Sequence, residues 1–178
     1  MIAIITVGMS CSGKSSIAKS LVNSDNMQDV NRDYLRSELF LDGDKDLSKY
    51  KQTKESEAYI NKAQARFIDK AVSENADVIL SDTHLSEPFI NQSVEVLRKF
   101  PKIDEIYLLF FHFDDVNDAK KRGEARGYCI SELLLERQSK ALNSLKVRLG
   151  VADEAKASLY RLDGLRATKE TISHVADF

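Results

Sequence analysis

Gly8-Met9-Ser10-Cys11-Ser12-Gly13-Lys14-Ser15 follows directly on the apolar run Ile2-Ala3-Ile4-Ile5-Thr6-Val7. The eight residues fit the pattern Gly-x-x-x-x-Gly-Lys-Ser/Thr in its required setting, a buried strand before and a helix after. Gly8 and Gly13 admit backbone dihedrals that a side chain forbids, so the loop is predicted to curl and point successive N–H groups inward. A phosphate chain lodged there would lie at the positive end of the helix that begins at Lys14. Lys14 would reach the outer phosphates and the Ser15 hydroxyl would ligate Mg²⁺, with Ser10, Ser12 and Ser16 completing the loop. The stretch predicts a site for a nucleoside triphosphate, with ATP and Mg²⁺ as the expected pair.

The rest of the composition sets the frame. A chain of 178 residues, 43% hydrophobic and 30% charged, can close one ordinary core and does not read as disordered. The net charge of −2 offers no global attraction to a polyanion, so contact with nucleic acid would have to come from a local basic patch. No apolar run approaches the length of a membrane span, no signal peptide is legible, and a cytoplasmic protein without membrane contact is expected. The two cysteines, Cys11 and Cys129, have neither metal-ligand nor redox spacing, and Cys11 reads as a small filler of the loop.

Taken in order, hydrophobic periodicity predicts a helix over 14–22, a faint strand over 27–30 and a second helix from about 31 to 41. A long helix is expected over 55–75, with Ile60, Ala63, Phe67 and Ala71 as its buried stripe. Asp77-Val78-Ile79-Leu80 reads as the third strand, and Ser86 with Pro88 as the start of a helix burying Ile90, Val94 and Leu97. Residues 106–113 are almost continuously apolar, as in a strand covered on both faces. A basic helix over 118–126 and a helix capped by Ser131 and ending near Leu149 follow, then a strand over 159–163 and a closing helix over 168–176. Alternating strands and helices predict an α/β three-layer sandwich of the P-loop NTPase, nucleotide-kinase-like kind, with a five-stranded parallel sheet. One domain over 1–178 is expected, with a helical lid over about 115–130, and functional groups gathered at the carboxyl ends of the strands.

Those ends carry three constellations. Asp33 follows the second strand, where a carboxylate could take the proton of an attacking hydroxyl, and Arg36, one turn on, could hold an anionic group of the acceptor. An N-capping role for Asp33, paired with Arg36, is the plainer alternative. Asp82 closes a hydrophobic strand, the position that organises Mg²⁺ and its water, or else an ordinary turn residue. Thr83 could face the acceptor, and His84 reads as a solvated turn histidine. In Lys120-Lys121-Arg122-Gly123-Glu124-Ala125-Arg126, Arg122 and Arg126 share a helical face and could close over a transferring phosphoryl group, with glycines 123 and 127 as hinges. Lys51, Lys54, Lys62 and Arg66 form either a basic rim beside the acceptor or solvated helix faces.

The segments GMSCSGKSS, VNRDYLR, ILSDTHL and KRGEARG, at closely matching separations over about residues 2–149, resemble the kinase half of the bacteriophage 5′-polynucleotide kinase/3′-phosphatase family. The resemblance implies Lys14 and Ser15 on triphosphate and metal, Asp33 as general base, and Arg36 on the phosphate next to an accepting 5′-hydroxyl. It further implies Asp82 as an essential carboxylate, Thr83 against nucleic acid, and Arg122 and Arg126 on the donor phosphates. Tyr34 stands where the family has a second acidic residue, and His84 where it has asparagine. No Asp-x-Asp-Gly-Thr phosphatase motif is present, so 3′-phosphatase activity is not expected. The expected activity is transfer of the ATP γ-phosphate to 5′-hydroxyl ends of DNA or RNA, with a repair ligase and a homo-oligomer as candidate partners. A kinase of a nucleoside monophosphate or similar metabolite is the alternative. A nucleotide-dependent switch is the third, and it would need neither a base nor lid arginines.

Overall fold

The computed structural model describes residues 1–178 apart from 25, 45, 128, 129, 153 and 154, so Cys129 and part of the expected lid lie outside the described residues. Six strands form one sheet in the order β2-β3-β1-β4-β5-β6: β1 Ile2–Val7, β2 Met27–Asp29, β3 Asp77–Leu80, β4 Glu105–Phe111, β5 Ala157–Leu162 and β6 Ile172–Asp177. β1 pairs in parallel with both β3 and β4, and β2 pairs in parallel with β3. The chain therefore passes from one side of β1 to the other between β3 and β4, the switch point beside which ligands bind in open α/β sheets.

Strand alternation divides the apolar residues between two faces. Ala3, Ile5, Val7, Ile106, Leu108 and Phe110 face one way, toward α3 Lys54–Ser73, α4 Glu87–Leu97 and α6 Glu132–Leu149. Ile4, Leu109 and Phe111 face the other way, toward Ile17, Ala18 and Leu21 of α1 Lys14–Ser24. The three-layer α/β sandwich is thereby present, with helices on both faces. Ile90, Val94 and Leu97, and likewise Leu135, Leu142, Leu145 and Leu149, are buried as their periodicity requires. No helix among the described residues is long and apolar enough to cross a membrane.

Three expectations need correction. The sheet has six strands, not five, and it is not wholly parallel: β5 runs antiparallel to β4, and β6 antiparallel to β5. The closing segment is strand β6, not a helix. The Thr171 N–H donates to the Thr168 carbonyl and the Thr168 N–H to Thr171 Oγ1, so these groups form a turn that returns the chain along β5. In α3 the buried stripe is Ile60, Gln64, Ile68, Ala71 and Val72, while Phe67 is 45% exposed. The helix is rotated by roughly one position from the expected face.

Candidate active site

The phosphate loop is anchored where it leaves β1 by contacts its own sequence does not contain. The Gly8 N–H donates to the Thr83 carbonyl at 2.9 Å, and the Thr6 hydroxyl donates to the Asp82 carbonyl at 2.8 Å. These bonds hold the end of β1 against the turn after β3. Gly13 has φ +107°, the conformation expected of a loop glycine. Gly8 is required for a different reason: a Cβ there would lie 2.9 Å from Phe111 Cβ and 2.9 Å from Ser12 Oγ. Its role is close approach to β4, not an unusual dihedral. Cys11, at φ 62°, supplies a further left-handed residue, and the Ser10 N–H is taken by Gln138 Oε1 of α6 at 2.8 Å.

Lys14 is buried, and its ammonium donates to the Met9 carbonyl at 2.6 Å. Burial pushes its pKa down to about 8, while the Asp82 and Asp33 carboxylates pull part of the way back. Lys14 therefore shares one electrostatic environment with both carboxylates. Ser15 and Ser16 open α1 and are exposed. Arg126, the cap of α5 Val116–Ala125, reaches the Ser16 hydroxyl at 3.4 Å. The Arg122 guanidinium lies over the Phe113 ring at 4.1 Å, and that ring packs in one cluster with Met9 and Cys11 of the loop. Gly123 is buried inside α5, so the expected hinge there is a packing position, whereas Gly127 has φ +77° and ends the helix.

Asp82 is buried at the carboxyl end of β3. Its Oδ1 accepts from the Arg32 N–H at 2.9 Å, but its Oδ2 has no partner. Burial pushes its carboxyl up to about 7; the Arg32 N–H opposes this and the Asp33 charge adds to it. An unpaired carboxylate oxygen buried beside a phosphate loop is an acceptor that lacks its donor, a costly arrangement for a structural residue alone. No group of three or more His, Cys, Asp or Glu side chains that could hold a metal occurs among the described residues. Mg²⁺ is typically held by one or two protein oxygens together with the phosphates of a nucleotide. Ser15 and Asp82 are the residues that could hold it.

Asn31 caps α2 Arg32–Phe40 by accepting from the Tyr34 N–H at 2.9 Å, so Asp33 is not the cap. Asp33 projects into solvent, with its side chain 57% exposed, and accepts from Arg36 at 2.6 Å. Arg36 is held in turn by Glu57 of α3, at 3.2 and 3.0 Å. Glu57 also accepts from Arg32 at 2.7 Å and from the Tyr50 hydroxyl at 3.0 Å. Partial burial works against the Glu57 charge, but the Arg36 and Arg32 bonds outweigh it and hold its carboxyl at about 2. Arg32 is buried and bonded further to Asn61 and Gln64. One glutamate from α3 thus fixes both arginines of α2.

Glu57, Arg32 and Gln138 were not reached from sequence. Glu57 lies in the first turn of a helix with a Thr53–Ser56 capping box, where an acidic residue is explained by the helix dipole alone. Glu57→Ala should lower unfolding free energy by about 2 kcal/mol or more, less than for a fully buried pair because Glu57 is 20% exposed. Since its folded pKa lies below the ordinary 4.5, this contribution is present above about pH 4.5 and is lost as pH falls toward 2. Urea unfolding at pH 7 and pH 3 checks it: an equal loss at both would contradict the ion-pair account.

His84 is not solvated as expected. It is fully buried at φ 45°, stacked on Phe89 at 4.4 Å, with Nδ1 2.9 Å from the Thr6 carbonyl and Nε2 2.9 Å from the Ser93 hydroxyl. The carbonyl can only accept, so Nδ1 carries the proton and Nε2 accepts from Ser93. Burial holds its pKa down at about 4. The neutral ring braces the turn that carries Asp82 and the half-buried Thr83.

Comparison with known proteins gives this geometry a family. A sequence model of the AAA domain matches residues 4–129, well over half of the chain. The chain is 34% identical over 114 residues to the protein of Autographa californica nuclear polyhedrosis virus named "Putative bifunctional polynucleotide kinase/RNA ligase", covering 60% of this chain and 15% of the relative. Among solved structures, a chain of the Pnkp1/Rnl/Hen1 RNA repair complex superposes with TM-score 0.67 at 25% identity, covering 82% of this chain and 45% of that one. A gluconokinase from Sinorhizobium meliloti 1021 shares the fold at TM-score 0.52 and 18% identity, covering 79% of this chain and 74% of its own. The chain thus spans under half the length of the repair-complex chain and a much smaller part of the viral relative. It belongs to the AAA domain family and has the α/β P-loop kinase fold of a phosphotransferase.

Proposed function

We propose that this chain is a polynucleotide 5′-hydroxyl kinase, moving the γ-phosphate of ATP to 5′-hydroxyl ends of DNA or RNA in nucleic-acid end healing. The observation that carries the reading is the exposed Asp33–Arg36 pair, 2.6 Å apart, at the strand ends that also present Lys14 and the unpaired Asp82 oxygen. A proton acceptor next to a fixed guanidinium matches an acceptor with a hydroxyl beside a phosphate, which a 5′ end with its first phosphodiester provides. The viral relative and the repair-complex structure support that choice of substrate.

In this reading the 5′-hydroxyl gives its proton to Asp33 as its oxygen forms a bond to the γ-phosphorus. The bond from that phosphorus to the β–γ bridging oxygen breaks, and ADP leaves. Lys14 and the loop N–H groups bind the β- and γ-phosphates, with Gly8, Ser10, Ser12, Gly13 and Ser16 shaping the loop. Arg126 approaches from α5, and Arg122 joins it on leaving Phe113. Mg²⁺, held between Ser15, Asp82 and the nucleotide, would neutralise phosphate charge. Arg36 and Thr83 orient the acceptor. Residues 1–178 are read as one kinase domain acting in the cytoplasm, with about 115–130 as its lid. An RNA ligase is the partner that the viral relative's name supports, and a homo-oligomer is a further candidate.

Arg36→Ala tests the assignment. The KM for a 5′-hydroxyl oligonucleotide should rise at least about tenfold, as for a lost charge-assisted contact, with the KM for ATP unchanged. A rise confined to the ATP KM would remove Arg36 from the acceptor side. The fold is shared with a gluconokinase, so a small-molecule acceptor such as a nucleoside monophosphate is the second reading. It predicts transfer to that acceptor and none to strands.

A further inference from the structure

Arg36 is the first member of a row of side chains that leads away from Asp33 along the outside of α2 and α3. Its guanidinium lies over the Tyr50 ring at 5.6 Å. Tyr50 meets Phe40 edge-to-face at 5.4 Å, and Phe40 meets Tyr59 edge-to-face at 5.8 Å. The row does not close into a core: Phe40 is 42% exposed, Tyr59 51% and the neighbouring Leu39 41%. Leu39, Phe40 and Tyr59 line an open cavity of about 460 Å³ together with Thr53, Glu55 and Ser56. Aromatic rings gathered in one exposed patch mark interaction sites, and tyrosine is enriched where one end of the ring stays wet.

Beyond Tyr59 the same helix face turns basic. Lys62 and Arg66 follow at the i+3 and i+7 positions, are exposed, and form no ion pair among the described residues. A rise of 1.5 Å per residue carries Arg66 about 10 Å further along the α3 axis from Tyr59. Glu55, one turn to the other side of Tyr59, is the carboxylate among the lining residues and discourages a phosphate there. Aromatic rings followed by unpaired cations on one face form the pattern that binds single strands: bases stack on the rings and the backbone tracks the charges.

We propose that the α2–α3 face is a platform for a single-stranded nucleic acid. On it, the bases nearest the accepting end stack on Phe40 and Tyr59, and the phosphates beyond run along Lys62 and Arg66. This rests on the proposed 5′-hydroxyl kinase reading and deepens it: the substrate class is a strand with several unpaired nucleotides at its 5′ end. The net charge of −2 is consistent with so local a basic stripe.

The test compares two acceptors, a 5′-hydroxyl single strand of about twelve nucleotides and a nucleoside 3′-monophosphate, which has the hydroxyl and phosphate but no further bases. It uses wild type, Tyr59→Ala and the double variant Lys62→Glu/Arg66→Glu. These surface residues lie outside the proposed catalytic groups, and unchanged ATP binding confirms folding. Tyr59→Ala should lower kcat/KM for the strand about tenfold and change it less than about twofold for the mononucleotide. The double variant should weaken strand binding, measured by fluorescence anisotropy without ATP, and flatten its salt dependence.

Wild-type rates on both acceptors in both variants would overturn the platform while leaving the kinase reading intact. Equal losses on both acceptors would also overturn it, since the residues would then be supporting the fold. A homodimer seen by sedimentation that Tyr59→Ala dissolves, with strand binding unchanged, would assign the face to a second copy and overturn it as well. Failure of wild type to label any 5′-hydroxyl acceptor, with strand binding still dependent on Tyr59, would sink the kinase reading and support the platform.

Discussion

Asp33→Ala is expected to lower kcat by about a thousandfold while the Kd for ATP stays within about twofold, the cost of removing a positioned general base. The separation follows from where Asp33 lies. Its side chain is 57% exposed and touches Arg36, with no part in the apolar clusters or in the phosphate loop. Losing an exposed ion pair costs little stability, so the variant should fold and bind nucleotide. Arg36 should stay in place without Asp33, because Glu57 holds it through two further hydrogen bonds. Single-turnover transfer, alongside ATP binding by calorimetry, reads the two quantities separately. Parallel loss of both would make Asp33 a structural residue of α2.

Lys14→Ala carries the second large effect, a loss of about a hundredfold or more in kcat from withdrawing a cation aimed at the transferring group. It also removes a pH dependence. Without nucleotide the buried Lys14 has a pKa of about 8, and phosphates favour its charged form. Below pH 8 the ammonium is already present and affinity should not depend on it. Above pH 8 a proton must be taken up on binding, so affinity should fall toward tenfold per pH unit. Calorimetry at pH 9 in two buffers of different ionisation enthalpy should detect that uptake in wild type and not in Lys14→Ala. Proton uptake persisting in the variant would place the titration on another group.

The parts of the site that were legible from sequence are those written in local spacing. The phosphate loop occupies eight consecutive residues, Asp33 and Arg36 are one helical turn apart, and Asp82 lies two residues past the apolar Val78-Ile79-Leu80 of β3. The structure brings Lys14, Asp33, Arg36, Asp82 and Arg126 to the same end of the sheet. Arg122 lies over the Phe113 ring, which packs with Met9 and Cys11 of the loop. What sequence could not reach depends on contacts between distant segments. Glu57 meets Arg36 across 21 positions and Gln138 meets Ser10 across 128, and nothing in either neighbourhood marks the partner.

The fold divides along the same line. Continuous apolar runs and capped helices located the parallel half, including Ser86 and Ser131 as caps. The antiparallel β5–β6 edge was missed. Ile172, Val175 and Ala176 fall at i, i+3 and i+4, the helical period, and the strand state of Ile172–Asp177 is decided by pairing with β5. The rotated stripe of α3 has a similar origin, since Gln64 is buried to meet Arg32 while Phe67 remains outside.

The most direct measurement is transfer of label from γ-labelled ATP, with Mg²⁺, to a 5′-hydroxyl oligonucleotide, to its 5′-phosphorylated twin and to a set of nucleoside 5′-monophosphates, which carry no free 5′-hydroxyl. The account predicts label on the 5′-hydroxyl strand alone, and none with Asp33→Ala. Label confined to the monophosphates would contradict it and make Arg36 a clamp for a mononucleotide phosphate.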